Sequence, residues 1–145
     1  MTDGKRHLPD DMPLPLLDDR NRQFFTSGTL ALQTCRSCRV VQHPAGEFCF
    51  TCGSFEFDYP EVPPTGVISS YTTVHHVTHR ALTDSVPYDV VIVEIDAHPE
   101  VRLVGNLIGE VAAPRIGARV RGEWTEPLVS AEQEPVRLLQ WRLEE

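Results

Sequence analysis

Four cysteines within eighteen residues constrain this chain more than any other feature of its sequence. They form two Cys-x-x-Cys pairs, Cys35–Cys38 and Cys49–Cys52, separated by ten residues. Two pairs at this spacing are typical of two knuckles whose thiolates complete one tetrahedral metal site. Two redox dithiols or four unrelated core cysteines are the alternatives, but a redox Cys-x-x-Cys usually occurs once, near a βαβ pattern that this sequence lacks.

The metal predicted at Cys35, Cys38, Cys49 and Cys52 is one structural zinc ion. Zinc accepts four soft thiolates in a tetrahedron, although spacing alone does not distinguish it from iron in a rubredoxin-like site. Four protein ligands leave no position for water or substrate, so the ion would stabilise a segment too short to build its own core. Gly53 fits a tight turn after the second pair, and Ser37 is expected to serve the first pair similarly.

Proline-rich stretches divide the rest of the chain. Residues 1–29 are predicted to form an extended arm and then a short amphipathic helix from Leu17 to Phe25, with Asp18 and Asp19 in its first turn and Gly28 after its end. The metal ribbon occupies residues 30–60. A stiff linker containing Pro60, Pro63 and Pro64 leads into a second domain, which we assign to residues 61–145.

The second domain contains five segments rich in β-branched and aromatic residues. They are Val67–Val77, Tyr88–Ile95, Val101–Ile108, Arg119–Trp124 and Leu139–Leu143. Five short strands suit a small closed or partly closed barrel, although an open sandwich would give the same pattern. The expected fold is therefore mainly β, with a short N-terminal helix, a zinc ribbon and a β-barrel.

The charge balance argues against several function classes. The sequence has 13 Lys and Arg against 21 Asp and Glu, and a formal net charge of −8 at pH 7. Nucleic-acid binding depends on Lys and Arg at phosphates, and a membrane-surface helix depends on a basic face, so both are disfavoured. The polar N-terminal segment carries no apolar signal-peptide core, and we expect a cytoplasmic protein.

Catalytic motifs are scarce outside the cysteines. On a strand, His75 and His79 would share one face and His76 would take the other, giving half a metal site or an acid–base pair. No carboxylate lies in register with them, so a partly exposed strand end is the favoured interpretation. The GxSxG, GxGxxG and P-loop patterns are absent.

The adjacent Phe24 and Phe25 offer more apolar surface than a short helix can cover by itself. They either pack onto the barrel or contact a partner protein, and the sequence favours the two roles about equally.

The order of these features resembles the DUF35 family. The resemblance is carried by Phe24-Phe25 with Gly28, Thr34-Cys35-Arg36-Ser37-Cys38, Cys49-Phe50-Thr51-Cys52-Gly53-Ser54, Gly66–His75, Pro87–Ile95 and Ile116–Val120. It implies a rubredoxin-like zinc ribbon joined to a five-stranded OB-fold barrel. It also implies an accessory subunit of a thiolase-like enzyme, namely a thiolase, an acyltransferase or a retro-aldolase that acts on acyl-CoA thioesters.

One arrangement in this family pairs a DUF35 module with a lipid-transfer-protein-like aldolase in steroid side-chain breakdown. The resemblance therefore implies that the partner holds the catalytic residues and that this chain contributes none, with acyl-CoA bound at the complex. Steroid or other lipid catabolism is the expected context. The alternatives are a single-stranded nucleic-acid-binding OB-fold protein and a stand-alone acyl-CoA binder that uses His75 and His79.

Overall fold

Most of the regular structure is β-strand, in the segments where β-branched and aromatic residues concentrate. The computed structural model of the chain describes residues 6–109 and 113–144. Its elements in order are α1 (Arg22–Thr26), β1 (Gln33–Cys35), β2 (Val41–Gln42), β3 (Phe57–Asp58), β4 (Thr65–Val74), a 3-10 helix (Arg80–Leu82), β5 (Tyr88–Ile95), β6 (His98–Ile108), β7 (Arg119–Trp124) and β8 (Leu139–Leu143). No helix in these two ranges is long and apolar enough to cross a membrane.

Strands β4 to β8 form a closed barrel in the order β4-β5-β6-β8-β7. Neighbouring strands are antiparallel except β6 and β8, which are parallel and pair through Leu107–Trp141 and Ile108–Arg142. This short parallel contact closes the sheet, and it confirms the predicted five-stranded barrel of the OB type.

The barrel core follows the period-2 alternation of its strands. On β5, the side chains of Val91, Val93 and Ile95 are fully buried, while the residues between them are partly exposed. Leu30 and Leu32, which precede the first cysteine, belong to the same hydrophobic cluster. Full burial of a Leu side chain contributes roughly 1.5–3 kcal/mol. The chain that enters the ribbon is thus anchored in the core of the barrel.

The ribbon is a three-stranded antiparallel sheet with β1 between β2 and β3. The linker after it runs beside residues 30–32, because Val62 donates its N–H to the carbonyl of Leu30 at 2.8 Å and Leu32 donates to the carbonyl of Pro60 at 3.3 Å. The linker is therefore hydrogen-bonded along its length. The domain boundaries at 29/30 and 60/61 stay predictions.

The N-terminal helix is shorter than predicted. It begins at Arg22 rather than Leu17. The carboxylate of Asp18 accepts the N–H groups of Arg20 and Asn21, both at 2.8 Å, and so holds the preceding residues in a turn. Asp side chains compete with the helical backbone in this way. The end of the helix agrees with the prediction, since Gly28 follows it with a φ of +71°.

Strand β4 covers Thr65–Val74 instead of Val67–Val77, so His75 and His79 lie beyond its end and do not share a strand face. The last pair of the β4–β5 ladder is Val74 with Tyr88. The residue before Tyr88 is Pro87, which has no N–H to donate, and the ladder stops there.

Strand β6 begins at His98, three residues earlier than predicted. His98 pairs with Ile95 across the turn, and Pro99 is accommodated because it lies at the start of the strand.

Candidate metal centre

The fold brings the four cysteines together. The Sγ atoms of Cys35, Cys38, Cys49 and Cys52 all lie within 4.8 Å of one another. Two of the Sγ–Sγ distances, Cys35–Cys52 and Cys38–Cys49, are 3.6 Å. A tetrahedron with metal–sulfur bonds of about 2.3 Å has edges of about 3.8 Å. The cluster therefore fits a zinc ion at its centre, and this donor set supports a zinc-binding site.

Each Cys-x-x-Cys pair forms a knuckle stabilised by the backbone. Arg39 donates its N–H to the carbonyl of Cys35 at 3.0 Å, and Gly53 donates to the carbonyl of Cys49 at 2.9 Å. Both residues have positive φ, 67° at Arg39 and 81° at Gly53. The turn residue expected at Gly53 is correct. In the first knuckle the residue with positive φ is Arg39 and not Ser37. Ser37 instead donates its N–H to the Cys35 sulfur at 3.3 Å.

Backbone N–H groups prepare two of the sulfurs to be thiolates. The N–H of Cys38 is the main cause that lowers the pKa of Cys35 to about 6. The N–H of Cys52 likewise lowers the pKa of Cys49. The Val40 N–H also favours the thiolate of Cys38, but burial and the neighbouring sulfurs outweigh it and raise the pKa of Cys38 to about 12. Because like charges repel, the four sulfurs do not all ionise easily in the absence of a metal. A divalent cation would stabilise all four as thiolates.

The centre has a structural rather than a catalytic donor set. If all four thiolates bind one ion, its tetrahedral sphere is complete and no position remains for water or substrate. Among the described residues, no further group of three or more His, Cys, Asp or Glu side chains lies close enough to hold a metal ion.

Phe24 joins the three parts of the chain. Its ring centroid lies 5.2 Å from that of Phe25, 5.1 Å from His43 in the ribbon and 5.6 Å from Trp124 at the end of β7. The Phe24 side chain is half-buried and packs against the core cluster. Burial also lowers the pKa of His43, which favours the neutral imidazole beside the Phe24 ring.

The backbone of Phe25 connects the same helix to the barrel by a hydrogen bond. Its carbonyl accepts the N–H of Arg137 at 2.7 Å, and Arg22 forms an ion pair with Glu134. The structure therefore gives α1 an intramolecular packing role. Partner contact through Phe24 and Phe25 stays a prediction.

An apolar groove of about 430 Å³ lies where helix, ribbon and barrel meet. We call it the central groove; it is lined by Phe24, Phe25, His43 and Pro44 on one side and by 102–106 and 138–140 on the other. Its volume lies within the range of small-molecule sites. No sequence pattern indicated this groove, because its walls come from segments far apart in the chain.

The histidines singled out from the sequence lie apart from the metal centre, between β4 and β5. His75, His76 and His79 are exposed. The ring of His79 has a local structural role, since its Nδ1 accepts the N–H of Ala81 at 3.2 Å and caps the 3-10 helix.

Three phenylalanines beside the second knuckle were missed by the sequence analysis. Phe48, Phe50 and Phe55 are exposed, and the ring of Phe48 lies beside the rings of the other two. A knuckle has no helical or strand periodicity, so the sequence gave no sign of which face these rings would take. The only available signal was the density of Phe around Cys49.

Comparison with known proteins agrees with this architecture. Residues 23–58 match the family model of the ChsH2 rubredoxin-like zinc ribbon domain, and residues 59–125 match that of the ChsH2 C-terminal OB-fold domain. The chain belongs to the ChsH2 (DUF35) family. A solved member, described as an Ltp2-ChsH2(DUF35) aldolase, has a TM-score of 0.72 and 33% sequence identity, over 90% of this chain and 98% of that chain.

A curated relative of the ChsH2 family chain is the probable enoyl-CoA hydratase alpha subunit of Thermomonospora curvata. The two are 37% identical over 120 residues, which is 79% of this chain and 36% of the relative. The chain thus spans about a third of that relative's length. The zinc ribbon and OB-fold expected from the DUF35 resemblance are confirmed by the family match and the fold.

Proposed function

We propose that this chain is a non-catalytic accessory subunit of a thiolase-like enzyme that acts on acyl-CoA thioesters. The observation that carries the proposal is the likeness to a chain of a solved Ltp2-ChsH2(DUF35) aldolase, which covers 98% of that chain and 90% of this one. The curated relative is named as a subunit of an enoyl-CoA hydratase, which also connects this type of chain with acyl-CoA enzymes.

The residues of the chain support a role without chemistry of its own. The cysteine cluster is the one group of three or more His, Cys, Asp or Glu side chains that could hold a metal within 6–109 and 113–144. His75 and His79 lie in an exposed segment, and His79 is used to cap a helix. In this proposal the catalytic residues belong to a thiolase, acyltransferase or retro-aldolase partner, and we place the complex in steroid side-chain or other lipid catabolism.

The metal in this proposal is one structural zinc ion bound by Cys35, Cys38, Cys49 and Cys52. The near-tetrahedral sulfur spacing supports it. Metal analysis of the purified chain should give one zinc per chain and no iron. A coloured protein with one iron per chain would overturn the choice of zinc, and a metal-free, folded chain would overturn the site.

Nucleic-acid binding is a weaker proposal, because ion pairs occupy much of the barrel's positive charge. Arg119 pairs with Asp96, Arg102 with Glu94, and Arg121 and Arg142 both pair with Glu123. From Gly66 onward there are seven Arg and no Lys against twelve Asp and Glu. A continuous basic surface, which phosphate binding needs, is therefore not formed by these side chains.

A stand-alone acyl-CoA binder is the second candidate, and the central groove favours it. The groove is apolar and large enough for part of an acyl chain. Calorimetric titration of the isolated chain with acyl-CoA esters tests it. Binding that is lost when Val104, at the groove edge, is changed to Arg would favour this candidate over the subunit.

The subunit proposal is tested by purifying the tagged chain from its native host and identifying the proteins that accompany it by mass spectrometry. A thiolase-like protein present in stoichiometric amount is expected. Its activity on acyl-CoA thioesters should then depend on added chain, with no activity from the chain alone. Recovery of nucleic acid, or of no protein partner, would overturn the proposal.

A further inference from the structure

The three exposed phenylalanines beside the second knuckle form a continuous apolar surface. The Phe48 ring centroid lies 5.7 Å from that of Phe50 and 6.3 Å from that of Phe55. Their side chains are 45%, 64% and 75% exposed for Phe48, Phe50 and Phe55 respectively. We call these three residues the ribbon aromatic patch.

The area of the ribbon aromatic patch is large for an unused surface. At roughly 200 Å² per Phe, these exposed fractions leave about 370 Å² of apolar surface in water. The largest apolar patch on a typical monomer is of that order and is often functional, whereas single exposed apolar residues are ordinary. The patch is also the right size for the core of a protein interface, which buries about 800 Å² per partner.

The backbone that carries Phe48 and Phe50 is held in place by a buried side chain. The Gln42 side chain donates to the carbonyl of Phe48 at 3.1 Å and accepts the N–H of Phe50 at 3.0 Å. The Phe50 ring lies over Gly46, where an added Cβ would be only 2.5 Å from the ring. The knuckle residue Cys49 lies between the two rings in sequence. Rings on a fixed backbone lose less entropy when they are covered, which favours the use of Phe48 and Phe50 as binding anchors.

The charges around the patch indicate what can cover it. Glu47 precedes Phe48, Glu56 follows Phe55, and both are exposed. Two copies of this chain, each with a formal net charge of −8, would bring like charges together at these rims. An anionic lipid surface is disfavoured for the same reason. The complementary occupant is a folded protein with an apolar hollow and Lys or Arg at its edge.

We propose that the ribbon aromatic patch is the surface that docks the thiolase-like catalytic subunit. This inference rests on the proposed function and adds the surface and the chemistry of the partner. Phe48, Phe50 and Phe55 enter an apolar hollow of the catalytic subunit, while Glu47 and Glu56 meet basic side chains at its rim.

The test measures the affinity of the purified chain for the thiolase-like subunit that accompanies the wild type. Phe55→Asp should weaken Kd at least tenfold, and the triple variant F48S/F50S/F55S at least a hundredfold. Ile116→Asp is the matched control, because Ile116 is 70% exposed on the barrel, and its Kd should stay within twofold of the wild type. Glu47→Lys with Glu56→Lys should mainly slow association.

Zinc content and circular dichroism establish that each variant is folded, and Phe55→Asp provides the test if the triple variant is not. Folded patch variants with wild-type Kd would overturn the docking surface and leave the proposed function standing. A wild-type chain that binds no thiolase-like subunit would overturn both. A wild-type dimer that becomes a monomer in F48S/F50S/F55S would show that the patch joins two copies and would overturn this proposal.

Discussion

The contact that joins helix, ribbon and barrel can be tested by Phe24→Ala. Phe24 contacts Phe25, His43 and Trp124 and packs against the hydrophobic core. A fully buried Phe→Ala change costs about 3–5 kcal/mol. Because the Phe24 side chain keeps some exposure to solvent, we expect a smaller cost of about 2–3 kcal/mol. In a chain of 145 residues, this corresponds to a fall in Tm of roughly 4–10 °C.

The assay is thermal unfolding of the zinc-loaded chain, followed by calorimetry and by far-ultraviolet circular dichroism. Phe55→Ala is the control, because it removes the same atoms from a side chain that is 75% exposed. The control should change stability by less than about 0.5 kcal/mol. If Phe24→Ala and Phe55→Ala unfold at the same temperature, the aromatic contacts of Phe24 do not join the three parts of the chain, and the reasoning is refuted.

Three further predictions concern the metal, a close backbone contact and a surface ion pair. Cys49→Ser should abolish zinc binding and unfold the ribbon, as measured by metal analysis and proteolysis. Gly66→Ala should lower stability by about 1–3 kcal/mol in chemical unfolding, because its Cβ would lie too close to the carbonyl oxygen of Glu94. Arg119→Gln should raise the pKa of Asp96, which the Arg119 hydrogen bonds hold below its usual value, as followed by carboxyl NMR.

The sign of the Arg119 effect follows from that lowered pKa. A depressed Asp96 pKa contributes stability above the unfolded pKa of about 3.9, and this stability is lost as pH falls through the folded value. Arg119→Gln should therefore be less stable than wild type near neutral pH and converge with it in acid. Both groups are largely exposed to solvent, which screens the ion pair, so the difference in stability should be small.

Each of these predictions has a result that contradicts it. A soluble, zinc-free Cys49→Ser chain with an intact ribbon would remove the metal from the folding argument. Wild-type stability in Gly66→Ala, with exposed Ser70→Ala as the control on the same strand, would show that β4 can move away from β5. An Asp96 pKa that Arg119→Gln leaves unchanged would show that another contact sets it.

Local sequence patterns predicted the bounds of a strand correctly where no residue in a neighbouring strand interrupts the pairing. The observed bounds of β5, Tyr88–Ile95, and of β7, Arg119–Trp124, are those predicted. The end of β4 was misplaced because it depends on Pro87 in the opposite strand. The start of α1 was misplaced because the Asp18 carboxylate caps a turn instead of the helix.

The sequence pattern did not predict whether the barrel closes. The β6–β8 contact rests on two residue pairs, at Leu107 and Ile108, which no periodicity distinguishes from the rest of β6. Gln140 shows the same limit on β8, because it is buried beside Trp141 although it is a polar residue that alternates with apolar ones. It accepts the N–H of His7, in the N-terminal arm, at 2.7 Å.

The candidate metal site was predictable because its ligands are close in sequence and the spacing itself expresses the geometry. Which phenylalanines are exposed was not predictable, since exposure depends on what the rest of the chain covers; partner contact through Phe24 and Phe25 stays a prediction. The structure half-buries Phe24 and Phe25 against the barrel and leaves Phe48, Phe50 and Phe55 exposed. A double Phe beside a helix end and a Phe beside a cysteine carry the same hydrophobicity in a sequence, and only the fold separates them.

In the proposed complex, a zinc ion at the four cysteines would affect assembly without taking part in catalysis. Phe48 and Phe50 flank Cys49 in sequence, and Gln42 bonds the backbone at both phenylalanines. If zinc is removed, the knuckle loses the constraint that holds these rings in place. Chelation would then weaken the docking proposed here, and activity on acyl-CoA would fall because less complex forms. A structural ion can thus behave as an essential cofactor in an activity assay. Measuring the affinity between the two subunits with and without zinc distinguishes a role in assembly from a role in catalysis.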